Sequence, residues 1–165
     1  MLRHLIAGAI ACCVSAAGQM PPVARGAAEG VNNIAAFGAR GDGVADNTAA
    51  IQRAIDAASA KGGVVEVPVG QWLCKGHLVI RKGVHVAGVN QAPQSWEPRT
   101  GAILMPTEGR GQENAPAFIE MRSSTSLTGV TIYYPEQKVD DIQPYPWTVQ
   151  IRGDPENPKD VSFDS

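Results

Sequence analysis

Phe37-Gly38-Ala39-Arg40-Gly41-Asp42-Gly43, then Asp46-Asn47-Thr48, then Ala50-Ile51-Gln52-Arg53-Ala54-Ile55-Asp56-Ala57-Ala58, then Gly62-Gly63-Val64-Val65-Glu66-Val67-Pro68: this stretch decides the fold. In order it reads as glycine turn, helix and strand. Ile51, Ala54, Ile55 and Ala58 fall at i, i+3, i+4 and i+7, one stripe of a helix, while Gln52, Arg53 and Asp56 lie off it. Asp46, Asn47 or Thr48 can cap the first turn by accepting from free amides, and Lys61 and Gly62 are ordinary stop signals. A helix is therefore expected from Asn47 to Ala60. Val65, Val67 and Val69 then alternate with Glu66 and Pro68, the period of a strand with one buried face.

Beyond the helix the chain repeats. Leu78-Val79-Ile80-Arg81 is followed eight residues after Leu78 by Val86, with Gly88-Val89 next; Ile119-Glu120-Met121-Arg122 is followed eight residues after Ile119 by Leu127, with Gly129-Val130 next. A looser copy starts at Val149-Gln150-Ile151-Arg152, and its Val161-Ser162-Phe163 arrives late because Asp154-Pro155-Glu156-Asn157-Pro158 is inserted. Uneven gaps between copies are what variable loops on a constant coil give. One copy cannot bury its apolar face alone, so the copies must stack, and the amphipathic helix is the natural cover for the first coil's open end.

The linked segments from Asn33 to about Gly88 resemble the opening of the pectate-lyase-like superfamily of right-handed parallel β-helix proteins, in its rhamnogalacturonase/epimerase-like branch, related to glycosyl hydrolase family 28. That opening reads F-G-A-K-G-D-G-x-x-D-D-T-x-A-I-Q-x-A-I-D, followed by G-G-x-V-x-x-P-x-G-x-Y. Here Arg40, Asn47 and Trp72 stand where Lys, Asp and Tyr are usual. The fold class implied is an all-β solenoid: N-terminal coils of a right-handed parallel β-helix capped by one short amphipathic α-helix. The resemblance is specific for fold and leaves the reaction open, since hydrolases, lyases, epimerases and phage tailspikes share this opening. It also implies that catalytic acids or bases lie on later coils, past Ser165, so the catalytic residues of this chain are unknown.

At the start, Arg3 and His4 precede the apolar run Leu5 to Val14, the length of a signal-peptide core and too short to span a bilayer. Small residues follow at Ser15, Ala16, Ala17 and Gly18, so residues 1–18 are expected to be a cleaved secretory leader, with a secreted or periplasmic product. Cys12 and Cys13 offer a lipoprotein alternative, disfavoured by the residue before the cysteine and the very short apolar run. Residues 19–32, small and unpatterned, are expected to form a flexible segment, and residues 33–165 the N-terminal part of the β-helix. The chain stops at Phe163-Asp164-Ser165 inside what should be a strand, so a truncated domain, inactive by itself, is expected.

Composition narrows the partners. With 44% hydrophobic and 18% charged residues and a net charge of −2, no basic face for nucleic acid is indicated. No membrane partner remains after leader cleavage. Only Cys74 is then left, which excludes an intramolecular disulfide and a cysteine metal site. Aromatics are scarce at 5% while glycines number 18 and prolines 12, which fits turns and short strands better than a helical bundle.

Several motifs carry more than one reading. Arg40-Gly41-Asp42 and Arg152-Gly153-Asp154 spell an adhesion tripeptide but sit at turns. Asp42 and Asp46 lack the third oxygen ligand of a cation loop and read as turn and cap residues. His77 and His85 have the opposite parity to Leu78, Ile80, Val84 and Val86, so both face outward as solitary histidines; no metal site is expected. Gly109-Arg110-Gly111 lacks the ending and context of a phosphate loop and reads as a surface loop. That leaves Tyr133-Tyr134-Pro135-Glu136, Asp140-Asp141 and Tyr145-Pro146-Trp147, which gather aromatics and acids between two strands. Aromatic faces stack on sugar rings and carboxylates bind hydroxyls or act as acid and base; alternatively the rings plug the core's side and the acids are solvated. Parity turns Val130 and Ile132 inward and Tyr133 outward, whereas Trp147 shares parity with Val149 and Ile151 and is expected inside. The substrate-binding candidates are Tyr133 as stacking platform with Glu136 and Tyr145. Together with the resemblance, which implies a glycoside hydrolase or polysaccharide lyase on pectin-like or related glycans without an organic cofactor, the cluster points to a polysaccharide-binding chain; the alternative is a non-catalytic adhesin or carbohydrate-binding module.

Overall fold

The computed structural model describes residues 30–89 and 100–153. The expected leader and lipidation site, Asp154 and the Val161-Ser162-Phe163 segment lie outside them. The helix α1 forms over Thr48–Ser59, between Asn47 and Ala60, and buries Ala50, Ile51, Ala54, Ile55 and Ala58. Asp46 supplies the side-chain cap: its Oδ1 accepts from the Thr48 amide at 3.0 Å and the Thr48 hydroxyl at 2.7 Å. Partial burial works against the Asp46 carboxylate, but the bonds from Thr48 and the Lys75 amide outweigh it and hold the acid below its ordinary range.

The strands are β1 (Val31–Asn33), β2 (Gly63–Val67), β3 (Gly70–Cys74), β4 (Leu78–Ile80), β5 (Val84–Gly88), β6 (Ala102–Pro106), β7 (Ile119–Met121), β8 (Ser126–Thr128), β9 (Val130–Ile132) and β10 (Val149–Ile151). They form three sheets, ordered β1-β2-β5-β8, β3-β6-β9 and β4-β7-β10, and every strand pair is parallel. From β2 onward the chain visits the three sheets in the same cyclic order. The sequence repeat is the sheet register: Leu78 lies opposite Ile119, Ile119 opposite Val149, and Val86 opposite Leu127. Alternate residues of each cycle turn inward, so Val65, Val67, Trp72, Cys74, Leu78, Ile80, Val84, Val86, Leu104 and Ile119 make one core.

Gly88 lies against Gly129, at matching places in successive copies. A Cβ on either would run into the carbonyl of the other, and Gly129 also has φ +63. Cys74 is fully buried, and burial first, then the charge of Asp46, pushes its thiol up to about 12.

Each sheet's first edge is closed by a different device, all from residues 31–52. In the first sheet β1 pairs with β2. In the second, the Gly43 amide donates to Gln71 O at 2.8 Å, Gln71 N to Gly41 O at 3.1 Å, and Asn47 N to Leu73 O at 2.8 Å. In the third, Gln52 of α1 meets the β4 backbone at Val79. Asn47 is the buried pin of this end: its carboxamide accepts from Arg40 N at 2.6 Å and donates to Arg40 O, Ala45 O and Leu73 O at 3.0, 2.8 and 3.3 Å. The carboxamide both donates and accepts here, which an ionised carboxylate cannot do, and this accounts for a neutral residue at the position.

Two sequence expectations are corrected. Val69 does not continue the buried face of β2; the chain turns at Pro68 and Val69 is exposed. Trp147 is not packed inside but 75% exposed, because it precedes β10 and only its backbone joins the ladder, accepting from Phe118 N at 2.9 Å. Strand β6 was not anticipated: Ala102, Ile103, Leu104, Met105 and Pro106 are all buried, a continuous apolar run without alternation.

Candidate functional site

The segment between β9 and β10 packs against the one between β6 and β7. Gly111 N donates to Pro144 O at 2.7 Å, and Gly109 fits against the Pro146 ring, where a Cβ would come within 2.7 Å of Cδ. Arg110, on the loop expected to be plain surface, pairs with Asp141 at 2.6 Å. Asp141 also accepts from Gln143 Nε2 at 2.6 Å, and Gln137 and Gln143 clasp each other through side chain and backbone at 2.8 and 3.2 Å. The Gln143 bond first, then Arg110, holds the Asp141 carboxyl below its ordinary range. Asp140 is exposed beside it.

Among the aromatics, Tyr134 and Tyr145 pack with ring centroids 4.5 Å apart and tilted by 55°. The Tyr134 hydroxyl lies 2.8 Å from Thr148 Oγ1. The Tyr145 hydroxyl is buried without a partner among the described residues; burial first and the Glu136 charge second push it above its ordinary range. Tyr133 is 40% exposed, its amide bonded to Leu104 O at 2.9 Å, and Glu136 is exposed. The structure thus brings Tyr145 near Glu136 and Arg110, sets Tyr133 at the end of β9, and ties the loop by polar bonds rather than a deep core. Sequence reading placed Tyr134 in the aromatic cluster without making it a binding candidate, and took Arg110 for plain surface; the pairing of Arg110 had no signal, since its partner is 31 residues away.

His77 is exposed and lines, with Glu108, Gln112, Pro116, Phe118 and Pro146, a cleft of about 90 Å³. That is smaller than the ~300 Å³ at which ligand pockets begin. His85 is not solitary: its Nδ1 lies 2.9 Å from Ser126 Oγ across the strand pair. Among the described residues no three His, Cys, Asp or Glu side chains gather as a metal would need.

Parallel strands in three sheets, threaded in one cyclic order behind a G-D-G turn and a helix, form the frame of the described residues, and the stretch that carries the turn, the helix and the first strands is similar to a known family. More narrowly, residues 31–105 match the family model described as rhamnogalacturonase A/epimerase, pectate lyase-like. Mannuronan C5-epimerase AlgE2 of Azotobacter vinelandii is 48% identical over 96 residues, 50% of this chain and 10% of that protein. Alginate lyase 7 of the same organism is 34% identical over 91 residues, 47% of this chain and 11% of that one. Among solved structures, the A-module of mannuronan C-5 epimerase AlgE6 from Azotobacter vinelandii gives a TM-score of 0.41 at 23% identity, covering 73% of this chain and 40% of that one. The chain spans about a tenth of the length of the curated relatives it matches.

Proposed function

We propose that this chain is part of an exported, right-handed parallel β-helix protein that acts on an acidic polysaccharide of the polyuronate type. The observation that carries the reading is the match of about half of the chain to proteins named for mannuronan epimerisation and alginate cleavage. Epimerisation at C5 and β-elimination of a uronate begin alike, with removal of the C5 proton beside the carboxyl group, so one binding scaffold serves either outcome. Tyr133, exposed at the end of β9, is the sugar-stacking platform, with Glu136 and Tyr145 supplying hydrogen bonds from the adjoining loop. Export rests on the leader-like residues 1–18.

The test is incubation of the full protein with polymannuronate, polygalacturonate and a neutral glucan. Proton spectra read the C5 configuration and ultraviolet absorbance reads unsaturated chain ends. Turnover of a polyuronate supports an enzyme; binding without turnover supports the non-catalytic carbohydrate-binding module. Preference for the neutral glucan overturns the reading.

A further inference from the structure

The three connections that leave the β3-β6-β9 sheet come together: Gly76 and His77 before β4, residues 107–118 before β7, and Pro146 before β10. Between them lies the cleft of about 90 Å³. Its floor is apolar and fixed. Phe118 and Pro146 are buried, Leu78 N donates to Phe118 O at 2.7 Å, and Phe118 N donates to Trp147 O at 2.9 Å. Beside the floor, Gly109 O accepts from Gln112 N at 2.9 Å and Gln112 O from Ala115 N at 3.1 Å, so the wall is bonded turn by turn.

The rim is polar and consists of the exposed residues His77, Glu108 and Gln112. Glu108 Oε2 lies 3.2 Å from the point that a Cβ on Gly76 would occupy, so the carboxylate rests over the Gly76 backbone, where a larger residue would displace it. Neither the Glu108 nor the His77 side chain has a hydrogen-bond or ion-pair partner among the described residues. Arg110, two residues on from Glu108, is paired with Asp141. A carboxylate without a counter-charge thus stands over an apolar floor. At ~30 Å³ for each water, the cleft has the room of about three waters. A short alkyl chain enters it; a sugar ring does not.

We propose that this cleft binds a primary alkylammonium group, carried by a lysine side chain of a partner or by a free amine, with its methylenes on Pro116, Phe118 and Pro146 and its nitrogen on Glu108. An ammonium has three donors and no acceptor. The rim supplies the Glu108 carboxylate, the Gln112 amide oxygen and, from a neutral imidazole, one ring nitrogen. A lysine stem ending in a compact charge lays its chain along apolar surface and leaves its head at the polar edge, which is the order of floor and rim here. The charge-assisted bond to Glu108 selects the cation over a neutral chain of the same length, and Glu108 repels a carboxylate. The site does not depend on the polyuronate reading.

Nuclear magnetic resonance titration of the full protein with n-butylammonium, n-butanol and pentanoate tests the site, with the Gly76 and Gly109 amide shifts marking the cleft. The variant is Glu108→Gln, whose side chain is exposed and leaves the fold intact. The control is Glu113→Gln, an exposed acid of the same connection that does not line the cleft. Butylammonium should bind saturably and shift both glycines. Butanol on the wild type, and butylammonium on Glu108→Gln, should bind about tenfold more weakly, pentanoate should not bind, and the control should change by less than about twofold. Tighter binding of the peptide acetyl-Gly-Lys-Gly-amide than of putrescine assigns the site to a lysine side chain; the reverse order assigns it to a free amine. Equal binding of butanol and butylammonium, wild-type affinity in Glu108→Gln, or an equal loss in Glu113→Gln overturns the proposal, as does the absence of saturable butylammonium binding.

Discussion

The carboxamide of Gln52 faces the backbone of Val79 as a neighbouring strand would: Nε2 donates to Val79 O at 3.1 Å and Oε1 accepts from Val79 N at 2.9 Å. One side chain on α1 thereby satisfies both polar groups on the outer edge of β4, the first strand of its sheet. Gln52→Ala should cost about 1–3 kcal/mol in urea unfolding, the range for stranding paired backbone groups. Amide exchange at Val79 should accelerate more than at Val65, whose sheet is closed by β1. Equal exchange in variant and wild type would remove Gln52 from the edge-guarding role.

Gly129 tests how tightly successive cycles stack. Gly129→Ala drives a methyl into the Gly88 carbonyl, whereas Gly111→Ala, at φ +77 but with open space around it, carries only backbone strain. The first should cost at least about 2 kcal/mol and the second about 1 kcal/mol. Similar melting temperatures for the two variants would show that the Gly88–Gly129 approach is not a tight contact.

Acid should weaken the helix end. The folded carboxyls of Asp46 and Asp56 are both held below the ordinary aspartate range; burial opposes this in each, but hydrogen bonds from Thr48 and Lys75 to Asp46, and from Arg81 and Gln52 to Asp56, prevail. Their contribution is therefore complete above the unfolded value and is lost as pH falls through the lower folded values. The urea midpoint should drop as pH falls below the ordinary aspartate range, and Asp46→Asn should flatten that drop. A midpoint unchanged by acid, or an identical drop in Asp46→Asn, would contradict the assignment.

Burial separates Trp147 from Ile55. Trp147→Ala should shift stability by less than about 0.5 kcal/mol, as an exposed ring does, while Ile55→Asp places a charge in the α1 contact and should cost about 3–5 kcal/mol. Loss of soluble protein in Trp147→Ala would return that ring to the core.

What was legible in the sequence follows the reach of each signal. The helix showed because its stripe Ile51, Ala54, Ile55 and Ala58 is local, and the register of β4, β7 and β10 showed because Leu78, Ile119 and Val149 recur in like contexts. β6 stayed hidden because a strand buried on both faces does not alternate. Trp147 was misplaced because parity holds inside a strand and Trp147 precedes one. At the candidate site Tyr133 could be turned outward from the parity of Val130 and Ile132, but the Arg110–Asp141 pair and the Gln52–Val79 clasp join residues 31 and 27 apart. No local pattern encodes those contacts.

The most direct test of the account is migration of the wild-type protein through native gels containing polymannuronate or neutral dextran, at low and at moderate salt. The account predicts retardation by polymannuronate that weakens as salt screens the charges, with free migration in dextran. Free migration in polymannuronate at low salt, or equal retardation by dextran, would contradict it.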